Sequence, residues 1–294
     1  MRYLRTVAML FLFAWHTSVQ AQDETGFDPS ITIFTGLMNY QGDLNPNSFS
    51  IAHSKFAFGL SIRQPLSRWF TARAGIQIGR LEAADRYNRD YLKTRNLSFF
   101  TPIHEAYAAL EFTFLDISKS RFTPYLYGGI SVFHFNPWTY DNSGEKWFLQ
   151  PLSTEGQGIE DFPSHRPYKL TQFALPFGMG LRYAVSNDIN IGVEFSQRKT
   201  FTDHLDDVSS FYVDREILLA ARGEKAVELA FRGNTVPGGG NYPAHGEQRG
   251  TPTEMDWYYY GGITIDIKLN SIGNMFRGIG TRDKGYSQRC PRPL

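Results

Sequence analysis

The chain has 294 residues, 41% of them hydrophobic and 20% charged, with a formal net charge of +1. A mean hydropathy of −0.35 excludes a bundle of long apolar membrane helices, and the near-neutral balance argues against a nucleic-acid binder, which carries a marked basic excess.

The N-terminus reads as an export leader. Arg2 and Arg5 precede an apolar run, 7–15, that is too short to cross a bilayer as a helix, which takes about 20 residues. Val19 and Ala21 place small residues before a cut, so a signal peptide is expected over 1–21, and a buried N-terminal helix is the alternative. No cysteine lies near the cut, which argues against a lipoprotein. Loss of Arg2 and Arg5 takes the formal charge from +1 to −1. An exported chain without a helical span is either a soluble secreted protein or an outer-membrane barrel, whose segments are individually far less hydrophobic.

Eight segments alternate with period two. The first, 31–40, does so weakly. In 55–64, Phe56, Phe58, Leu60 and Ile62 oppose Ala57, Gly59, Ser61 and Arg63. In 70–80, Phe70, Ile76 and Ile78 oppose Thr71, Arg73 and Gln77. The clearest pair follows. Glu105, Tyr107, Glu111 and Thr113 oppose Ala106, Leu110, Phe112 and Phe114; then Tyr125, Tyr127 and Ser131 oppose Leu126, Ile130 and Val132. The last three are 171–183, 189–198 and 257–269. Each is about as long as a tilted membrane strand, roughly 9–11 residues.

The connections alternate in length. Short ones lie at 65–68, 116–121 and 185–188, and long ones at 41–54, 81–102, 136–169 and 200–256. Aromatics cluster near strand ends at 69–70, 133–138 and 257–260, as interface girdles do. These features predict an all-β chain, an eight-stranded antiparallel transmembrane β-barrel over 22–269 with long extracellular loops. A soluble sandwich also alternates, but it would not place charge on one shared face of nearly every strand.

An eight-stranded barrel has room inside for side chains only. The inward face is expected to hold Arg63, Arg73, Arg182 and Lys268, with Lys55 and Arg198, against Glu105, Glu111, Glu194 and Asp266. Confined charges of opposite sign should pair, which predicts a plugged lumen. In the last long loop, 214–232 has a helical stripe of Ile217, Leu218, Ala221, Ala226, Leu229 and Ala230 interrupted by Gly223. Asp203, Asp206, Asp207 and Asp214 lack the spacing of a calcium loop and are expected to form a solvated acidic segment.

Several motifs carry a family resemblance: YQGDLNP (40–46), FNP with QPLSTEGQG (135–137 and 150–158), PFGMGLRY (176–183), DHLDDVS (203–209), RGTP (249–252) and DWYYYGGITI (256–265). With these the chain resembles the small outer-membrane barrels of Bacteroidetes related to PorG, a component of the type IX secretion machinery. The resemblance implies a scaffold that contacts the periplasmic ring of that system. The alternative is a passive structural or adhesin-like barrel that presents its extracellular loops.

No cofactor or metal is expected, for the chain has no HExxH pair, no GxSxG and no phosphate loop at 237–240. An enzyme acting on lipid would need a nucleophile and base at the rim, and Ser131 and His134 fall on opposite faces of one strand. The partners expected are outer-membrane lipids and periplasmic ring proteins. A basic tail, 270–294, should lie in the periplasm. It includes Arg289, Arg292 and the only cysteine, Cys290, and an unpaired cysteine in an oxidising compartment suggests an intermolecular disulfide.

Overall fold

The computed structural model describes residues 28–47, 53–116 and 120–271. The leader at 1–21, and Arg289, Cys290 and Arg292 of the tail, lie outside the described residues.

The wall is made of β1 (Ser30–Gln41), β2 (Lys55–Pro65), β3 (Phe70–Ala84), β4 (Ser98–Thr113) and β5 (Phe122–Phe135). A small hairpin of β6 (Trp138–Tyr140) and β7 (Lys146–Phe148) follows. Then β8 (Thr171–Ala184), β9 (Ile189–Thr200) and β10 (Trp257–Lys268) complete the wall. Each wall strand pairs antiparallel with its neighbours. The ring closes where β1 meets β10, from Ser30 opposite Lys268 to Gln41 opposite Trp257. Closure leaves none of the eight described wall strands without a partner on either side, as hydrocarbon requires of a spanning sheet.

The two faces are reversed relative to a soluble protein. Phe56, Phe58, Leu60 and Ile62 are exposed, whereas Ala57, Ser61 and Arg63 of the same strand are buried. The same holds on β4, where Leu110 and Phe112 point out and Glu105 and Glu111 point in. At the short-turn end, exposed Phe70, Phe112 and Phe114 form a chain of rings 5.5 and 5.2 Å apart. Such a belt is stable only against lipid. The chain is therefore an outer-membrane β-barrel, with turns at 66–69 and 185–188, and residues 114–116 and 120–121, facing the periplasm and the long loops facing out.

The extracellular side is more ordered than the sequence suggests. β3 and β4 continue past the predicted ends, 80 and 103, to the pair Ala84–Ser98. Leu81, Ala83 and Phe99 are buried there, against the cap. The β6–β7 hairpin, not anticipated, extends the β4 edge through Phe100 opposite Trp138, with the two rings stacked at 4.6 Å. The expected helical segment is two helices, α1 (Arg215–Arg222) and α2 (Glu224–Ala230), broken at Gly223, where φ is 84°. Asp214 caps α1 by accepting from the amides of Glu216 and Ile217. Leu218, Ala226, Leu229 and Ala230 are buried as the stripe predicts, but Ala221 is exposed.

Candidate functional site

Inside the barrel, period-two alternation delivers one long polar side chain from each of several strands to the same level. Glu194 is the hub. Arg73 grips it at 2.6 and 3.0 Å, and the Tyr125 and Tyr127 hydroxyls donate to it at 2.8 and 3.0 Å. Arg63 reaches Asp266 at 2.5 Å, Glu111 at 3.2 Å and Glu194 at 3.4 Å. Arg182 bridges Glu111 at 2.5 Å and Asp266 at 3.0 Å. One level toward the outside, Arg198 meets Glu105 at 2.9 Å, and Tyr258 and Tyr260 donate to the same carboxylate. Inward glycines make the space: a Cβ at Gly180 or Gly178 would collide with the ring of Tyr125 or Tyr127.

These eight groups, Arg63, Arg73, Arg182 and Arg198 with Glu105, Glu111, Glu194 and Asp266, are all buried and balance in charge. The expected lumen cluster is therefore assembled, with two corrections, at Lys268 and Lys55. Lys268 does not join it. As the last residue of β10 it sits at the periplasmic rim, 3.8 Å from Asp28 and partly exposed. Lys55 likewise lies at the outer rim, 2.7 Å from Glu82. Both strand ends reach water, so a flexible lysine there is solvated without entering the lumen.

Above the lumen the four long loops fold together into a cap. Beneath it lies an apolar layer that includes Met38, Phe133, Phe135, Leu205 and Leu229. Within the cap, Arg95 of the second loop holds Asp85 at 2.7 Å. Arg249 of the fourth holds Glu155 of the third at 2.7 Å, and Glu155 also accepts from the Ser209 and Ser210 amides. Asp207 accepts from Thr154 and Tyr168, each at 2.6 Å. Tyr40, at the top of β1, lies 2.6 Å from Asp206 and 2.9 Å from Asp256. Asp43 of the first loop accepts from the Thr251 amide at 2.9 Å.

The expected solvated acidic segment is thus buried: Asp203, Asp206 and Asp207 are each at most 4% exposed. Only Asp214 stays at the surface, as a helix cap. The electrostatics follow from this burial. Desolvation, then the charge of Asp206, pushes the Asp203 carboxyl up to about 10. Desolvation, then Asp43, takes Asp206 to about 8. Desolvation raises Asp207 to about 6, although Arg249 opposes it. Burial also pushes Glu155 up, but Arg249, His204 and the Ser209 amide outweigh it and leave this carboxyl lowered.

The cap explains the scattered motifs. Tyr40 and Asp43 come from YQGDLNP, Glu155 from LSTEGQG, three aspartates from DHLDDVS, Arg249 from RGTP, and Asp256 opens the last strand motif. They are far apart in the chain and adjacent in space. Residues 4–215 match a family described as a domain of unknown function, DUF6089. The chain belongs to the DUF6089 family. No curated protein matches it.

Among solved structures, the DUF6089 barrel is similar to Neisserial surface protein A, NspA, at 10% identity and a TM-score of 0.40, covering 84% of this chain and 100% of that one. It is similar to Ail of Yersinia pestis at 8% identity and 0.39, covering 82% and 98%. It is also similar to OprG from Pseudomonas aeruginosa at 8% and 0.36, covering 82% and 97%. None of these likenesses bears on what this chain binds. Ser131 faces the lumen, bonded to the Ala174 carbonyl at 3.4 Å, and His134 faces outward, 3.0 Å from Thr171. The two share no site.

Proposed function

We propose that this barrel is a sealed anchor in the outer membrane that works through protein contacts, as a scaffold component of the type IX secretion system touching its periplasmic ring. The observation that carries the anchor reading is the lumen. Four arginines and four carboxylates, all buried and mutually paired, occupy the path a solute would take, and an apolar layer and a folded cap lie above them. A barrel of this kind has its two ends left to work with. The secretion role rests on the motif resemblance, and the contact surface it needs is the periplasmic turns and the tail with Arg289, Cys290 and Arg292.

A second reading, display or adhesion at the cell surface, is favoured by one observation. Loops that merely join strands do not need buried ion pairs between the third and fourth loops, such as Arg249–Glu155. One experiment separates the two. Cross-linked, detergent-solubilised barrel is purified from cells, and co-purifying proteins are identified by mass spectrometry. The scaffold reading expects periplasmic secretion proteins attached through the turns and tail, together with a secretion defect on deletion. Normal secretion, with attachment only through the cap, supports the surface reading and ends the scaffold one.

A further inference from the structure

The lumen balances its charges and the cap does not. Six carboxyls are buried in the cap's interior: Asp85, Glu155, Asp203, Asp206, Asp207 and Asp256. The buried cations facing them are Arg95 and Arg249. Both are already engaged, Arg95 with Asp85 and Arg249 with Glu155 at 2.7 Å and, more distantly, with Asp207 at 4.0 Å, which leaves Asp203, Asp206 and Asp256 without a cation. Asp141 is also buried but lies on the flank with its own Lys225, 2.6 Å away. Uncompensated buried charge is too costly to persist, so something neutralises the remaining aspartates.

The contacts of Tyr40 indicate what it is. Its hydroxyl lies 2.6 Å from Asp206 Oδ2 and 2.9 Å from Asp256 Oδ1. A phenol has one hydrogen to donate. The second short oxygen–oxygen contact is attractive only if that carboxyl carries a proton of its own. The other oxygens of both acids are committed as acceptors, Asp206 Oδ1 from the Val208 amide and Asp256 Oδ2 from the Leu205 amide, at 2.9 and 2.8 Å. Among the described residues no group of three or more His, Cys, Asp or Glu side chains is arranged to hold a metal ion.

We infer that the cap is latched by a proton shared among Asp206, Tyr40 and Asp256, and that its closure over the barrel mouth is therefore favoured by acid. The latch joins the first strand to both ends of the fourth loop, so its release frees that loop from β1. The charged and titratable groups around it are Asp43 from the first loop, Asp85 and Arg95 from the second, Glu155 and Tyr168 from the third, and Asp203, His204, Asp207 and Arg249 from the fourth. Asp43 and Asp203 add repulsion that favours the protonated form of their neighbours, and burial lowers the His204 imidazole, so it supplies little positive charge at neutral pH.

The sign follows from linkage. The closed cap holds the proton and an opened, solvated aspartate, with a pKa of about 3.9, does not. Closure is therefore fully favoured below about pH 4 and weakens as pH rises toward the closed-state value, about 8 for Asp206. In that window the closed-to-open ratio falls about tenfold per pH unit for each latch proton. Two measurements on full-length barrel in detergent micelles test this. Infrared spectra at pH 6.5 should show a protonated carboxyl band that disappears on alkaline titration and is reduced in Asp206→Asn. Hydrogen-exchange protection factors of the Leu205 and Val208 amides, corrected for intrinsic rates, should fall with pH from 5 to 8, and Asp206→Asn should flatten the slope by one proton. Absence of the band in the wild-type protein overturns the inference without recourse to any variant. So does an unchanged slope in Asp206→Asn, or protection that follows added calcium or a chelator at fixed pH.

Discussion

Glu194→Gln is the sharpest probe of the lumen. Glu194 is buried and contacts Arg73 through both oxygens, at 2.6 and 3.0 Å, with Arg63 at 3.4 Å and two tyrosine hydroxyls. Arg63 keeps Asp266 and Glu111 when Glu194 is neutralised, but Glu194 is the only carboxylate within salt-bridge reach of Arg73 among the described residues. The substitution keeps the shape and one acceptor, removes the charge, and leaves a buried guanidinium unpaired. Removing one member of a buried pair costs about 3–5 kcal/mol. That matches the ~4 kcal/mol between unit charges 4 Å apart at an effective dielectric of ~20. Removing the arginine as well should recover much of the loss, because the double variant Glu194→Gln/Arg73→Met leaves no stranded charge. The assay is urea unfolding of the barrel in micelles, followed by tryptophan fluorescence. A single-variant cost under about 1 kcal/mol, or a double variant as unstable as the sum of the two singles, would refute the reasoning.

Leu110 lies on the lipid face, opposite Gly128 and three residues from the periplasmic end of β4, so Leu110→Arg should cost about 1–3 kcal/mol, between the interface and midplane values. The lumen-facing Thr113→Ser should cost far less, and heat-modifiability on gels reads the difference. The balanced plug predicts no stable conductance in planar bilayers, and reproducible porin-sized channels would contradict it. Cys290 is proposed to form a mixed disulfide with a periplasmic partner. Non-reducing gels of cells lysed with thiols trapped should show a heavier band that is lost with reductant and in Cys290→Ser, whereas a lone monomer band under both conditions counts against the linkage.

The wall was legible because its physics is local. Lipid on one side and a packed interior on the other sort every second residue, so Phe56, Phe58, Leu60 and Ile62 announce their face from spacing alone. Gly223 marked the break between the two cap helices for a similar reason, since it takes a positive φ that other residues adopt at a cost. Lys268 was misplaced because alternation specifies a face but not a depth. At the last residue of a strand, the inward direction ends in water.

Period two, and a barrel too narrow to hold anything but side chains, made the number of wall strands, the side of each that meets lipid and, except for Lys55 and Lys268 at the strand ends, the charges that enter the lumen readable from the sequence. The tertiary structure decided the cap. Asp85, Glu155 and Asp206 lie in separate loops and Asp256 at the far end of Asp206's own, each acid in its own window indistinguishable from one bathed in solvent. Only when the strand order closes the ring and brings the loops over one mouth do they share a desolvated space. Their burial, their excess over Arg95 and Arg249, and the proton this excess demands are properties of that convergence, and no local pattern encodes them.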